Sequence, residues 1–83
     1  MSHTLLYTKT AVSDIRKLDK IVKKKIKKKI ERYSTNPLSF AKKLTNSSLG
    51  QYRWRIGNYR VVFDMQGNNI VILRVGHRKE IYK

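Results

Sequence analysis

The sequence has no cysteine at all, and that excludes both a disulfide framework and any thiolate metal site. It has only two histidines, His3 and His77, and its five carboxylates are scattered without ligand spacing, so no metal or other cofactor is expected. No apolar run approaches the roughly 20 residues needed to span a membrane, and the opening MSHTLLYTKTAVSD lacks the apolar stretch of a signal peptide. A soluble cytoplasmic protein with no membrane partner is the expectation. The scarcest commodity is negative charge. Five Asp and Glu stand against twenty Lys and Arg, a formal +15 on 83 residues. Such a field opposes compaction through self-repulsion and draws in polyanions quickly. At this density the charge reads as the electrostatic footprint of nucleic-acid binding. An acidic companion protein is compatible with the same surplus.

What is present reads as a single domain over residues 1–83, small enough that only roughly 60–65% of the unfolded chain's surface is buried. Leu5, Leu6 and Tyr7 fall in a strand-like segment, Thr4–Thr8. From Thr10 the period becomes helical, with Val12, Ile15 and Leu18 on one stripe and polar Ser13–Asp14 near the start. Asp19 can cap a second helix carrying Val22, Ile26, Ile30 and Tyr33 on its apolar side. Asn36-Pro37 ends it, because a residue before proline is pushed out of helical geometry. Residues 38–50 read as a connection with a helical turn around Phe40–Leu44. Beyond Gly50 the pattern is strand-like: Tyr52–Ile56, Tyr59–Asp64, Ile70–Val75 and a last short piece near Ile81-Tyr82. Gly57-Asn58 is a two-residue hairpin turn. The fold class is α+β, two N-terminal helices packed on a small antiparallel sheet.

Two basic features carry the functional reading. Lys23, Lys24, Lys25, Lys27, Lys28 and Lys29 surround Ile26 in KKKIKKK. As backbone this is the solvated face of an amphipathic helix, but lysines at i,i+4 repel, and a face needing only solubility would mix signs. They are read as phosphate-backbone contacts without sequence selection. In the hairpin, Arg55 pairs with Arg60, and alternation places Arg53, Arg55 and Arg60 opposite Trp54, Ile56, Tyr59 and Val61. If the third strand buries Val71, Leu73 and Val75, Arg74 joins the arginine face, which requires an odd-numbered loop such as Met65–Asn69. Arginines gathered across strands repel one another, whereas their planar forks suit phosphate. Just beyond lie His77, Arg78 and Tyr82, a proton carrier, a cation and a phenol that can donate a proton or stack on a base.

The run YRWRIGNYRVVFDMQGNNIVILRVGHRKEIY, Tyr52–Tyr82, resembles the C-terminal half of RelE-type toxins of bacterial and archaeal toxin–antitoxin pairs. The two upstream helices, the Asn36-Pro37 stop and the KKL before Leu49-Gly50 fit as well, so the resemblance covers essentially the whole chain. It implies a RelE-like fold and metal-independent cleavage of messenger RNA on the ribosome. In that reaction the messenger's 2′-hydroxyl attacks the adjacent phosphate, leaving a 2′,3′-cyclic phosphate and a free 5′-hydroxyl. The family's active positions match Arg53, Arg55, Arg60, Arg78 and Tyr82. Two of them hold lysine in RelE itself and arginine here, which leaves the general base open. The implied roles are charge stabilisation by Arg60 and Arg78, phosphate orientation by Arg53 and Arg55, and protonation of the leaving 5′-oxygen by Tyr82 or His77. The implied partners are the ribosome, messenger RNA and a RelB-like antitoxin with an acidic or amphipathic segment, DNA being met only through that antitoxin. Two other readings compete: a ParE-type toxin that poisons DNA gyrase, and a nucleic-acid-binding module without catalysis.

Overall fold

The computed structural model describes residues 3–45 and 48–81. Strand β1 (Thr4–Tyr7) leads into helices α1 (Lys9–Arg16) and α2 (Lys20–Tyr33), followed by β2 (Ala41–Lys43), β3 (Tyr52–Ile56), β4 (Tyr59–Gln66), β5 (Asn69–His77) and a short α3 (Arg78–Ile81). The sheet order is β1-β5-β4-β3-β2. β1 runs parallel to β5 while the other pairs are antiparallel, so the sheet is mixed rather than purely antiparallel. A parallel partner cannot be reached by a hairpin, and the chain between β1 and β5 runs through α1, α2 and the three strands β2, β3 and β4.

The helices lie on one face because their stripes and the sheet's inner residues supply a common core. Ile26 and Ile30 of α2 are 2% and 1% exposed. They pack with Ala11, Trp54, Val61, Phe63, Ile70, Ile72 and Val75. Trp54 stacks obliquely on Phe63 at 4.2 Å and meets the edge of Tyr33. Its indole N–H donates to the Pro37 carbonyl at 3.0 Å, so the proline that stops α2 also gives the buried tryptophan its partner. No described helix is long and apolar enough to cross a membrane.

Several local expectations change. α1 begins at Lys9, which leaves Ser13 and Asp14 in its second half rather than near its start, and it is capped by Thr8, whose hydroxyl accepts from Ala11 N at 3.1 Å. Asp19 occupies the N-cap position of α2 without a side-chain capping bond. The segment read as a helical turn near Phe40–Leu44 is strand β2, paired on the edge as Ala41↔Trp54, Lys42↔Arg53 and Lys43↔Tyr52. The piece read as a last strand is helical up to Ile81, and Tyr82 lies outside the described residues.

The largest correction concerns β5. The β4–β5 connection is a two-residue turn, Gly67-Asn68 between Gln66 and Asn69, with Gly67 at φ +61°. β5 buries Ile70, Ile72 and Val75, leaving Val71 and Leu73 half-buried on the other side. Parity is restored by a β-bulge: Phe63 faces Ile72 and Val62 faces Arg74, so Leu73 is the extra residue. Thr8 secures it by donating from its hydroxyl to the Leu73 carbonyl at 3.2 Å and from its N–H to the Ile72 carbonyl at 3.1 Å.

Candidate nucleic-acid interface

The sheet face turned away from the helices is basic. Arg53 sits on β3 between Lys42 of β2 and Val62 of β4, so Lys42 and Arg53 form a like-charged cross-strand pair. Arg55 pairs with Arg60 as the hairpin register requires, and the Gly57 φ of +60° is the left-handed geometry that the tight turn demands. Arg55 is exposed. Arg60 is only 5% exposed, and its Nη1 donates to the carbonyls of Gly57 at 3.0 Å and Tyr59 at 2.9 Å. Its guanidinium is therefore fixed in place as well as charged.

Helix α3 closes this end of the face. Its first N–H, from Arg78, donates to the Asn58 carbonyl at 2.8 Å, and Ile81 is 2% exposed. Gly76, paired with Arg60, makes room for it: a Cβ there would lie 3.3 Å from Ile81 Cδ1. The docked helix brings exposed Arg78 and Lys79 beside Arg53, Arg60 and Leu44, which together line an open cavity of about 520 Å³. Preorganised cations around an open space of this size suit a phosphate with its flanking sugars.

Three of the site residues expected from the sequence thus share one cavity, Arg53, Arg60 and Arg78. Arg55 is next to it as the cross-strand neighbour of Arg60. His77 is not brought there. The pleat pairs it with Tyr59 on the helix side, ring against ring at 5.5 Å, and its Nδ1 accepts from Lys79 N at 3.2 Å. Arg74 does not line the cavity either. Asp14 of α1 holds its Nε at 2.8 Å and its Nη2 at 3.3 Å, and also accepts from Val75 N at 3.0 Å. The hydrogen bond to Asp14 raises the guanidinium pKa above its ordinary value, with the carboxylate's charge adding to the shift and partial burial opposing it. Arg74 fastens α1 to the bulged strand. Two cations escaped the sequence reading, Lys79 and Lys42. Alternation in Ala41-Lys42-Lys43 opposite YRW would have found Lys42 had the segment been read as a strand.

The α2 lysines do not form one face, because seven consecutive helical positions at 3.6 residues per turn go around the whole axis. Lys23 and Lys27 rim a groove of about 370 Å³ whose floor is apolar, including Tyr7, Val12, Ile15 and Ile26. Lys25 reaches toward Gly57, and Lys29 Nζ lies 6.0 Å from the Tyr33 ring centroid. All are carried on the helix side of the sheet, opposite the arginine cavity. In the groove, Tyr7 is 40% exposed and its phenol pKa is raised, by desolvation first and the Glu31 carboxylate second.

A mixed five-stranded sheet, two helices on one face and a basic cavity closed by the short helix α3 define a small, basic α+β class. Residues 5–82 match the family described as the ParE toxin of type II toxin–antitoxin systems. The chain belongs to that family, and within it stands with toxins of the RelE kind. Toxin RelE3 of Methanocaldococcus jannaschii is 37% identical over 82 residues, covering 94% of this chain and 93% of the relative. Toxin RelG of Mycobacterium tuberculosis is 34% identical over 86 residues, covering 100% and 99%. Among solved structures, the RelBE2 toxin–antitoxin complex of M. tuberculosis aligns with a TM-score of 0.85 at 30% identity, over 94% of this chain and all of its counterpart.

Proposed function

We propose that this type II toxin is a ribosome-dependent messenger endoribonuclease that needs no metal ion. The observation that supports this best is the cavity in which Arg53, Arg60 and Arg78 converge with Lys79 on an otherwise open sheet face. In this reading Arg53, with Arg55 beside it, grips the scissile phosphate and turns the 2′-hydroxyl toward it. Arg78 and the fixed Arg60 neutralise the charge that builds on the five-coordinate phosphorus. Tyr82, three residues beyond Lys79, protonates the leaving 5′-oxygen. The α2 lysines add unselective attraction to ribosomal RNA.

The companion in this proposal is a RelB-like antitoxin. The apolar groove between β1, α1 and α2, with Arg16, Lys23 and Lys27 on it, matches an amphipathic segment bearing acidic flanks. The M. tuberculosis counterpart is a toxin–antitoxin complex, which supports such a partner.

The test is cleavage of end-labelled messenger on stalled ribosomes with EDTA present. Codon-spaced cuts ending in 2′,3′-cyclic phosphate are expected. The matched family carries the ParE name, which keeps gyrase poisoning as the second reading. Intact messenger together with trapped gyrase–DNA cleavage complexes would establish that alternative instead.

A further inference from the structure

Attack by a 2′-hydroxyl requires something to take its proton, and a guanidinium stays charged at any relevant pH. Arg53, Arg60 and Arg78 can therefore bind and neutralise but cannot be that acceptor. His77, the obvious proton carrier, is turned to the opposite face with its ring against Tyr59, and its Nδ1 is engaged by the Lys79 N–H. Among the described residues lining the cavity, Lys79 is the remaining side chain able to ionise. Lysine gives up its proton roughly two to three pH units below arginine.

We propose that Lys79, in its neutral form, is the base that accepts the 2′-hydroxyl proton, an assignment that rests on the RNA-cleaving reading above. As the O2′–P bond forms and the P–O5′ bond breaks, that proton ends on Lys79 Nζ. The 5′-oxygen takes a proton from Tyr82 or from water, solvent restores that donor's proton, and the ammonium returns its own to solvent. The origin of the side chain is held firmly for an exposed residue. Lys79 N donates to His77 Nδ1, Arg78 N is tied to the Asn58 carbonyl, and Ile81 is seated over Gly76. The charged groups around it are cations from three directions: Arg53 of β3 with its neighbour Lys42, Arg60 of β4 and Arg78 of α3. The adjacent carboxylate, Glu80, lines a separate pocket with Asp14, Arg74 and His77.

The discriminating substitution is Lys79→Arg, which keeps charge and reach but cannot become neutral to accept a proton. Single-turnover cleavage of messenger on stalled ribosomes, with toxin saturating, is followed from about pH 6 to 9, the range in which a general base shows itself. For Lys79→Arg the expected result is a slowing of about 100-fold or more, with the rising limb of the pH profile lost and ribosome co-sedimentation unchanged. Because the chain has no cysteine, Lys79→Cys can be alkylated selectively with 2-bromoethylamine, which restores an amine at that position. Cleavage is expected to vanish in Lys79→Cys and return on alkylation, with its rising limb at a different pH from the native chain. Native-like rate and pH profile in Lys79→Arg, or no recovery after alkylation, would overturn the assignment while leaving the nuclease reading intact. An inert native chain would overturn both.

Discussion

Removing the Asp14 carboxylate tests how the fold is held at the bulge. Asp14→Ala deletes three hydrogen bonds at 2.8, 3.0 and 3.3 Å, and the consequences differ by partner. The Val75 N–H lies in a part-buried setting, and leaving it without an acceptor costs roughly 1–3 kcal/mol. The Arg74 side chain is 36% exposed, so screening limits the ion pair itself to about 0.5–1 kcal/mol. Together these give a loss of roughly 1.5–4 kcal/mol. For a chain of this size each kcal/mol moves the melting temperature by about 4–8 °C, so a fall of roughly 6–30 °C is expected. Arg74→Met should lose only about 0.5–1.5 kcal/mol, since Asp14 can keep Val75 N–H. Urea unfolding of both single variants and the double variant gives the coupling energy. Asp14→Ala within about 0.5 kcal/mol of native, or an Arg74→Met loss as large as that of Asp14→Ala, would refute this accounting.

Gly50→Ala places a methyl group 2.7 Å from both Leu73 Cδ1 and Val62 Cγ1, and Val62 is fully buried, so the overpacking should destabilise by about 1–3 kcal/mol in a urea melt. In an alkaline absorbance titration, the component lost in Tyr7→Phe should ionise above the ordinary tyrosine value of about 10. Its raised folded pKa means that the neutral phenol's contribution is intact below about pH 10 and disappears as pH rises through the folded value. A component ionising at or below 10 would contradict the desolvated, Glu31-facing placement. Arg78→Ala should reduce the salt slope of single-stranded RNA binding by about 0.7, one phosphate contact's worth, while Arg74→Ala should leave the slope unchanged.

The parts of the fold that were legible in the sequence are those with an unambiguous period. The α2 stripe of Val22, Ile26, Ile30 and Tyr33 and the turn at Gly57-Asn58 leave one arrangement open, and the Arg55↔Arg60 register followed from the turn alone. β5 did not yield, because Ile70–Leu73 is apolar at every position and alternation carries no information there. The bulge that settles the parity depends on Thr8, more than sixty residues away, whose hydroxyl caps α1 and also binds the Leu73 carbonyl. The same limit applies to the site. Arg53 and Arg60 could be placed from strand alternation. Arg74 shares their parity but stands beside the sheet edge where α1 passes, and a carboxylate from α1 claims it. His77 and Lys79 exchanged prospects for a comparable reason: the third strand, expected to end at Val75, continues through His77 and the chain turns into α3 at Arg78, so Lys79 joins the arginine cavity and His77 stays in the strand with Tyr59.

The central claim is that the arginine cavity does the chemistry while the α2 lysines only attract. The most direct measurement is single-turnover messenger cleavage on stalled ribosomes for the native chain, Arg78→Ala and the pair Lys24→Ala/Lys28→Ala, each followed to saturating toxin. Arg78→Ala is predicted to cleave at least about 100-fold more slowly at saturation, as expected for a lost transition-state cation. The lysine pair should need more toxin to saturate, increasingly so as salt rises, yet reach the native rate. A saturated rate that falls with the α2 lysines and survives the loss of Arg78 would contradict the account.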